Sequence, residues 1–106
     1  MPENKYVIKF APKANEDMEE IFDYISGKLF AEIAAINLLE KIEESIMRLE
    51  EFPFSCSLVT DELLKNKGYR KLLVENFIVF YLVDETQRKV IVMRVLYGAQ
   101  NYLNFL

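Results

Sequence analysis

Polar and apolar residues alternate through residues 5–10, "KYVIKF", where Tyr6, Ile8 and Phe10 share one face and Lys5 and Lys9 the other. Val7 blurs the pattern, but a period of two predicts a short strand. The period then changes. Met18, Ile21, Phe22, Ile25 and Leu29 recur at helical spacing and predict an amphipathic helix with an acidic back. Pro12 reads as a breaker ahead of it and Asn15 as its N-cap, with Glu16, Asp17, Glu19 and Glu20 loading the first turns where the helix dipole favours negative charge. Gly27 marks its predicted end. Over residues 31–51, Ala35, Leu38, Leu39, Ile42, Ile46 and Leu49 repeat at helical intervals and predict a second helix. Pro53 stops it, because proline lacks an amide hydrogen and restricts Phe52 before it. So short a link between the two predicts an antiparallel helical hairpin.

Residues 53–68 form a long connection for a small domain, with a helical turn expected at "TDELLK" and Thr60 as its cap. Three strands follow, at residues 69–75, 77–83 and 89–97, joined by a tight turn near Asn76 and the polar loop "DETQRK". They predict an antiparallel meander and hence an α+β fold, with the helix hairpin on one face of a four-stranded sheet. The middle strand is apolar on both sides: Phe77, Val79, Tyr81 and Val83 point one way, Ile78, Phe80 and Leu82 the other. Two helices cover one face only, so the second face is hidden either by the chain's own tail or by a partner.

Composition narrows the chemistry. A chain of 106 residues, 52% of them hydrophobic, suits one domain with its own core. Histidine is absent, which removes the commonest general acid or base at neutral pH and every triad built on it. With Cys56 as the one cysteine, neither an internal disulfide nor an ordinary transition-metal site is expected, and no cofactor is. Apolar stretches fall far short of the ~20 residues that span a bilayer, and no basic segment leads into an apolar one at the start, so a cytoplasmic location is expected. The net charge of −4 is uneven: residues 1–60 carry six basic and twelve acidic side chains, residues 61–106 seven and five. The second half is therefore the basic one, which bears on the sign of a partner's surface.

The order strand, helical hairpin, meander, together with "GYRKLLVENFIVFYLVD" and "VIVMRVLYGAQNY", resembles the RelE/ParE superfamily of toxins from type II toxin–antitoxin modules. The likeness spans nearly the whole chain. It includes Gly68, Tyr69 and Arg70 at the entry to the second strand, Tyr81, Val83 and Asp84 at the end of the third, and "RVLYG" followed by a polar pair and Tyr102. The resemblance implies a toxin neutralised by a cognate antitoxin. RelE-like members cut mRNA in the ribosomal A site, as metal-independent endonucleases; ParE-like members poison DNA gyrase. In RelE-like nucleases, basic residues on the sheet and a tyrosine or histidine near the C-terminus do the chemistry. Arg70, Arg94 and Tyr97 or Tyr102 match that set, whereas Ala99, Gln100 and Asn101 stand where basic residues are usual. A free tyrosine titrates near ~10 and is a poor base without a large downward shift. An acidic chain is also ill suited to ribosomal RNA. The balance favours a ParE-like gyrase inhibitor, with a RelE-like mRNA endonuclease, or a non-toxic binding module on the same scaffold, as alternatives.

Arg94 sits within an apolar run and cannot shed its charge, so it needs a carboxylate partner, an open face or a rim position. Glu75 and Asp84 are candidate partners. Arg70, beside Lys65 and Lys67, reads as exposed. Arg70, Lys71, Phe77, Val79, Tyr81, Arg94, Tyr97 and Tyr102 together form the expected surface for an antitoxin, whose acidic groups would lie near the two arginines.

Overall fold

The computed structural model describes residues 5–98 and 102–106. Strand β1 (Val7–Phe10) leads into helix α1 (Pro12–Asp23), which runs on as a π-helical turn, Tyr24–Lys28. Helix α2 (Glu32–Met47) ends in a 3-10 turn, Arg48–Glu50. After the short helix α3 (Glu62–Asn66) come β2 (Arg70–Val74), β3 (Phe77–Asp84) and β4 (Lys89–Tyr97) as the expected meander, and then a 3-10 turn, Tyr102–Asn104. The four-stranded sheet has the order β1-β4-β3-β2, with β1 parallel to β4 and the other pairs antiparallel.

Local starts and stops differ from expectation in three places. Helix α1 begins at Pro12, with Ala11 extended before it, rather than after an Asn15 cap. Proline's fixed φ and missing donor suit the first helical turn, where the amide would have no partner. Asp17 is consequently inside the helix and buried, not a charge at its N-terminus. The helix also passes through Gly27; the chain reverses at Phe30, with φ 52°, a left-handed conformation that usually falls to glycine. At α3 the cap is Asp61, not Thr60, its Oδ1 accepting from the Leu63 amide at 3.0 Å.

Both faces of the sheet are covered by the chain itself. Ile42 and Ile46 of α2 and Ala14 of α1 pack with Val74, Val79, Val92 and Val95 on the helical side. Leu49, Tyr81 and Val90 extend this side toward one end. On the opposite side, Val59 and Leu64 from the connection lie over Phe80 and Leu96, with Tyr102 and Leu106 of the final segment packed against them. The connection is thus part of the core, and the tail hides the second face. Burial of Phe80 alone stabilises the fold by roughly 1.5–3 kcal/mol.

Candidate functional site

A bulge prepares the setting of Arg94. Phe80 pairs with Arg94 and Tyr81 with Val92, so Met93 is the extra residue in β4. Strand β1 ends with Phe10 opposite Val92, leaving the outer edge of β4 beyond it without a strand. Asp17 takes that edge. Its Oδ2 accepts from the Val95 amide at 2.9 Å and from Arg94 Nε at 2.7 Å, and its Oδ1 accepts from Arg94 Nη2 at 2.8 Å. The Arg94 and Asp17 side chains are only 14% and 6% exposed. The remaining arm of the guanidinium, Nη1, donates to the Phe105 carbonyl at 3.0 Å, and the group stands 5.4 Å above the Phe105 ring. These Asp17 hydrogen bonds push the Arg94 pKa up further from its ordinary value, so the charge is permanent. One side chain therefore fastens α1, β4 and the final segment together.

The carboxylates expected to pair with Arg94 lie elsewhere. Glu75 accepts from Lys41 of α2 at 2.8 Å, and Asp84 accepts from the Gln87 amide in the β3–β4 turn at 3.1 Å. Arg70 is half-buried rather than exposed. Its Nη1 donates to the Cys56 carbonyl at 2.6 Å and the guanidinium stacks 5.0 Å from the Phe54 ring, which fixes the connection against β2.

The expected docking surface is not one surface. Val79 and Tyr81 have no exposure, because both point to the side that the helices and the Leu49 segment cover. The Tyr81 hydroxyl donates to the Pro53 carbonyl at 2.9 Å, and burial pushes its pKa well up, away from the range of a base. Tyr102 stacks on Phe80 with ring centroids 4.8 Å apart. Phe77 and the half-exposed Tyr97 meet edge to face at 5.7 Å, at the other end of β4 from β1. Lys71 is half-buried on β2, its amide donating to the Ser57 carbonyl at 3.1 Å. Ala99, Gln100 and Asn101 lie outside the described residues. Among the described residues no cluster of His, Cys, Asp or Glu could hold a metal ion.

The family model of the ParE toxin of type II toxin–antitoxin systems (parDE) matches residues 8–102. The chain belongs to the ParE toxin family. No curated protein matches it significantly. Among solved structures this ParE-family chain is similar to the chromosomal ParDE toxin–antitoxin system of P. aeruginosa, at TM-score 0.72 and 20% identity over 89% of this chain and 97% of that one. It is similar to the RelBE2 toxin–antitoxin complex of Mycobacterium tuberculosis, at TM-score 0.67 and 17% identity over 91% and 94%. A free arginine-to-alanine double mutant of E. coli toxin RelE gives 0.66 and 12% over 95% and 92%. At these identities the likeness is one of fold.

Sequence reasoning missed two features of the ParE-family chain. Asp17 is one of four carboxylates between residues 16 and 20, and the signal that could have found it is its place three residues after Ala14 and four before Ile21, beside the apolar stripe of the helix. A groove also runs between α1 and α2, floored by half-buried Phe10, Met18, Phe22 and Leu39 and edged by Glu19, Asp23 and Glu43. Helical spacing assigned Met18, Phe22 and Leu39 to core stripes, and alternation placed Phe10 on a strand; the signal that could have found the groove is that both helices carry more large apolar residues than one sheet face can take.

Proposed function

We propose that the chain is a growth-inhibiting toxin of the cytoplasm that acts on DNA gyrase rather than on ribosome-bound mRNA, and that a cognate antitoxin neutralises it. The observation that carries this reading is the engagement of Arg94 by Asp17. Metal-independent RNA cleavage needs a base for the 2′-hydroxyl, an acid for the leaving oxygen and a cation for the extra charge on phosphorus. Every arm of the Arg94 guanidinium is already directed at Asp17 or Phe105, and the pair adds no net charge. Arg70 is held by Cys56 and Phe54. Tyr102 lies on Phe80, and the chain has no histidine. A net charge of −4 further opposes docking in ribosomal RNA. The family match to ParE favours the same side.

The test uses the purified chain in two assays side by side. With gyrase and relaxed plasmid, inhibition of supercoiling and accumulation of broken DNA are expected. With programmed ribosomes, the mRNA should stay intact. Cleavage between codon positions with gyrase unaffected would reverse the assignment, and inactivity in both assays would favour a binding module that kept only the scaffold.

A further inference from the structure

The tip of the helical hairpin lies beyond the groove, whose lining stops at Asp23 and Leu39. Four large apolar side chains crowd it within the ten residues from Tyr24 to Ile33. Tyr24 and Leu29 are more than half exposed, Ile33 is 75% exposed and Phe30 91%. Apolar residues exposed singly need no explanation, but a run of them does. The backbone beneath is irregular and well fastened. The helix widens to a π turn at Tyr24–Lys28, the Leu29 amide donates to the Tyr24 carbonyl at 3.2 Å, and the Ala31 amide donates to the Ile25 carbonyl at 3.1 Å. Such turns gather at functional sites. Phe30 sits at the reversal with φ 52°, where a residue with a Cβ is strained, and in a single copy its solvated ring makes few contacts to offset that strain. Charge also sets the tip apart. Residues 16–23 carry five carboxylates and no base, and residues 40–51 five against two, whereas residues 24–39 carry only Lys28 and Glu32. Among the described residues neither of these two makes an ion pair within the chain.

We propose that the tip is a self-association surface, on which a second copy of this chain packs Tyr24, Leu29, Phe30 and Ile33 against the same residues about a two-fold axis. A symmetric contact needs a patch that is its own complement. With the two tips antiparallel, Lys28 of one copy stands against Glu32 of the other, twice, and the charges of the patch cancel. The exposed parts of the four side chains come to roughly 500 Å² per copy, so the pair buries about 1,000 Å², the low end for a specific interface. The dimer is therefore weak and forms only as the concentration rises. Other occupants fit less well. Nucleic acid and anionic lipid meet a patch without net positive charge, set between two acidic segments. A partner protein of either net sign gains nothing from one lysine and one glutamate that cancel. The chain's own final segment lies against Phe80 and Leu96, on the far side of the sheet. The inference does not depend on the target of the toxin.

Sedimentation velocity of the purified full chain, from about 1 µM to about 1 mM, tests this. A reversible monomer–dimer equilibrium is expected, with a dissociation constant on the order of 100 µM. Phe30→Gly, which keeps the backbone conformation, and Ile33→Glu should each weaken it at least about tenfold. Both positions are exposed, so melts of these variants at about 1 µM, where the parent is monomeric, should stay cooperative. Lys28→Glu and Glu32→Lys should each weaken association about three- to tenfold, since each sets like charges face to face twice. Mixed in equal amounts, these two charge variants should associate within about twofold of the parent, because each then meets its opposite; a role within one copy would give no such rescue. A monomer at every concentration, a dimer that Phe30→Gly and Ile33→Glu leave intact, or charge variants that fail to rescue each other would each overturn the proposal.

Discussion

Arg94→Ala removes two charge-assisted hydrogen bonds from Asp17, a carboxylate with 6% exposure, and leaves it the Val95 amide alone. Breaking a buried ion pair from one side costs about 3–5 kcal/mol, since the remaining charge keeps its desolvation penalty. The retained amide and the rim position of Arg94 point to the lower end, about 3 kcal/mol. That is a large share of the roughly 5–15 kcal/mol that holds a small domain together. At roughly 4–8 °C per kcal/mol, the melting temperature should fall by about 12–24 °C. Urea denaturation of the parent, Arg94→Ala, Asp17→Ala and the double variant closes a mutant cycle. The double variant should be more stable than the sum of the singles implies, by roughly 2–3 kcal/mol, because neither charge is then stranded. Arg94→Ala within about 0.5 kcal/mol of the parent would refute the structural role, and with it the main argument against RNA cleavage.

Tyr81→Phe should cost about 1–3 kcal/mol in denaturant midpoints, since the Pro53 carbonyl loses its donor where no water reaches it. The folded Tyr81 phenol keeps its proton above pH 10.0, its ordinary value, where the unfolded one has begun to lose it. Its stabilisation is therefore complete below that pH and declines as pH rises beyond it, and Tyr81→Phe should flatten the decline measured by thermal melts between neutral and alkaline pH. Phe80→Ala should cost about 3–5 kcal/mol by calorimetry, because Leu64, Leu96 and Tyr102 lose their common contact. Phe30→Gly should raise stability by about 1 kcal/mol or less, since the residue is 91% exposed and glycine takes a positive φ without strain; a drop would mean that Phe30 makes contacts its exposure does not suggest.

Element type was legible wherever the period was clean. The doubly apolar "FIVFYLV" correctly demanded two covered faces, and the meander followed from its neighbours. The choice between tail and partner was not legible, because Val59, Leu64, Tyr102 and Leu106 come from loop and terminal segments without a period. Pro12 suits a helix start as well as a break, and only the extended Ala11 before it distinguishes the two. Arg94 was legible as a charge in need of a partner. Its partner was not, since Asp17 lies 77 residues away and reaches it only because β1 stops short of the end of β4. Val79 and Tyr81, named for docking on strand alternation, failed because alternation puts them on one face without saying that the helices take that face; on β4 the extra Met93 shifts the register, which the residue pattern does not reveal.

Inducing the chain in cells without any antitoxin, and mapping DNA breaks and mRNA 5′ ends across the genome in the same cultures, tests the central claim most directly. Growth should stop with breaks that depend on gyrase and disappear in cells whose gyrase resists poisoning, while mRNA ends remain as in uninduced cells. Arrest accompanied by codon-phased mRNA cleavage, with no gyrase-dependent breaks, would contradict it.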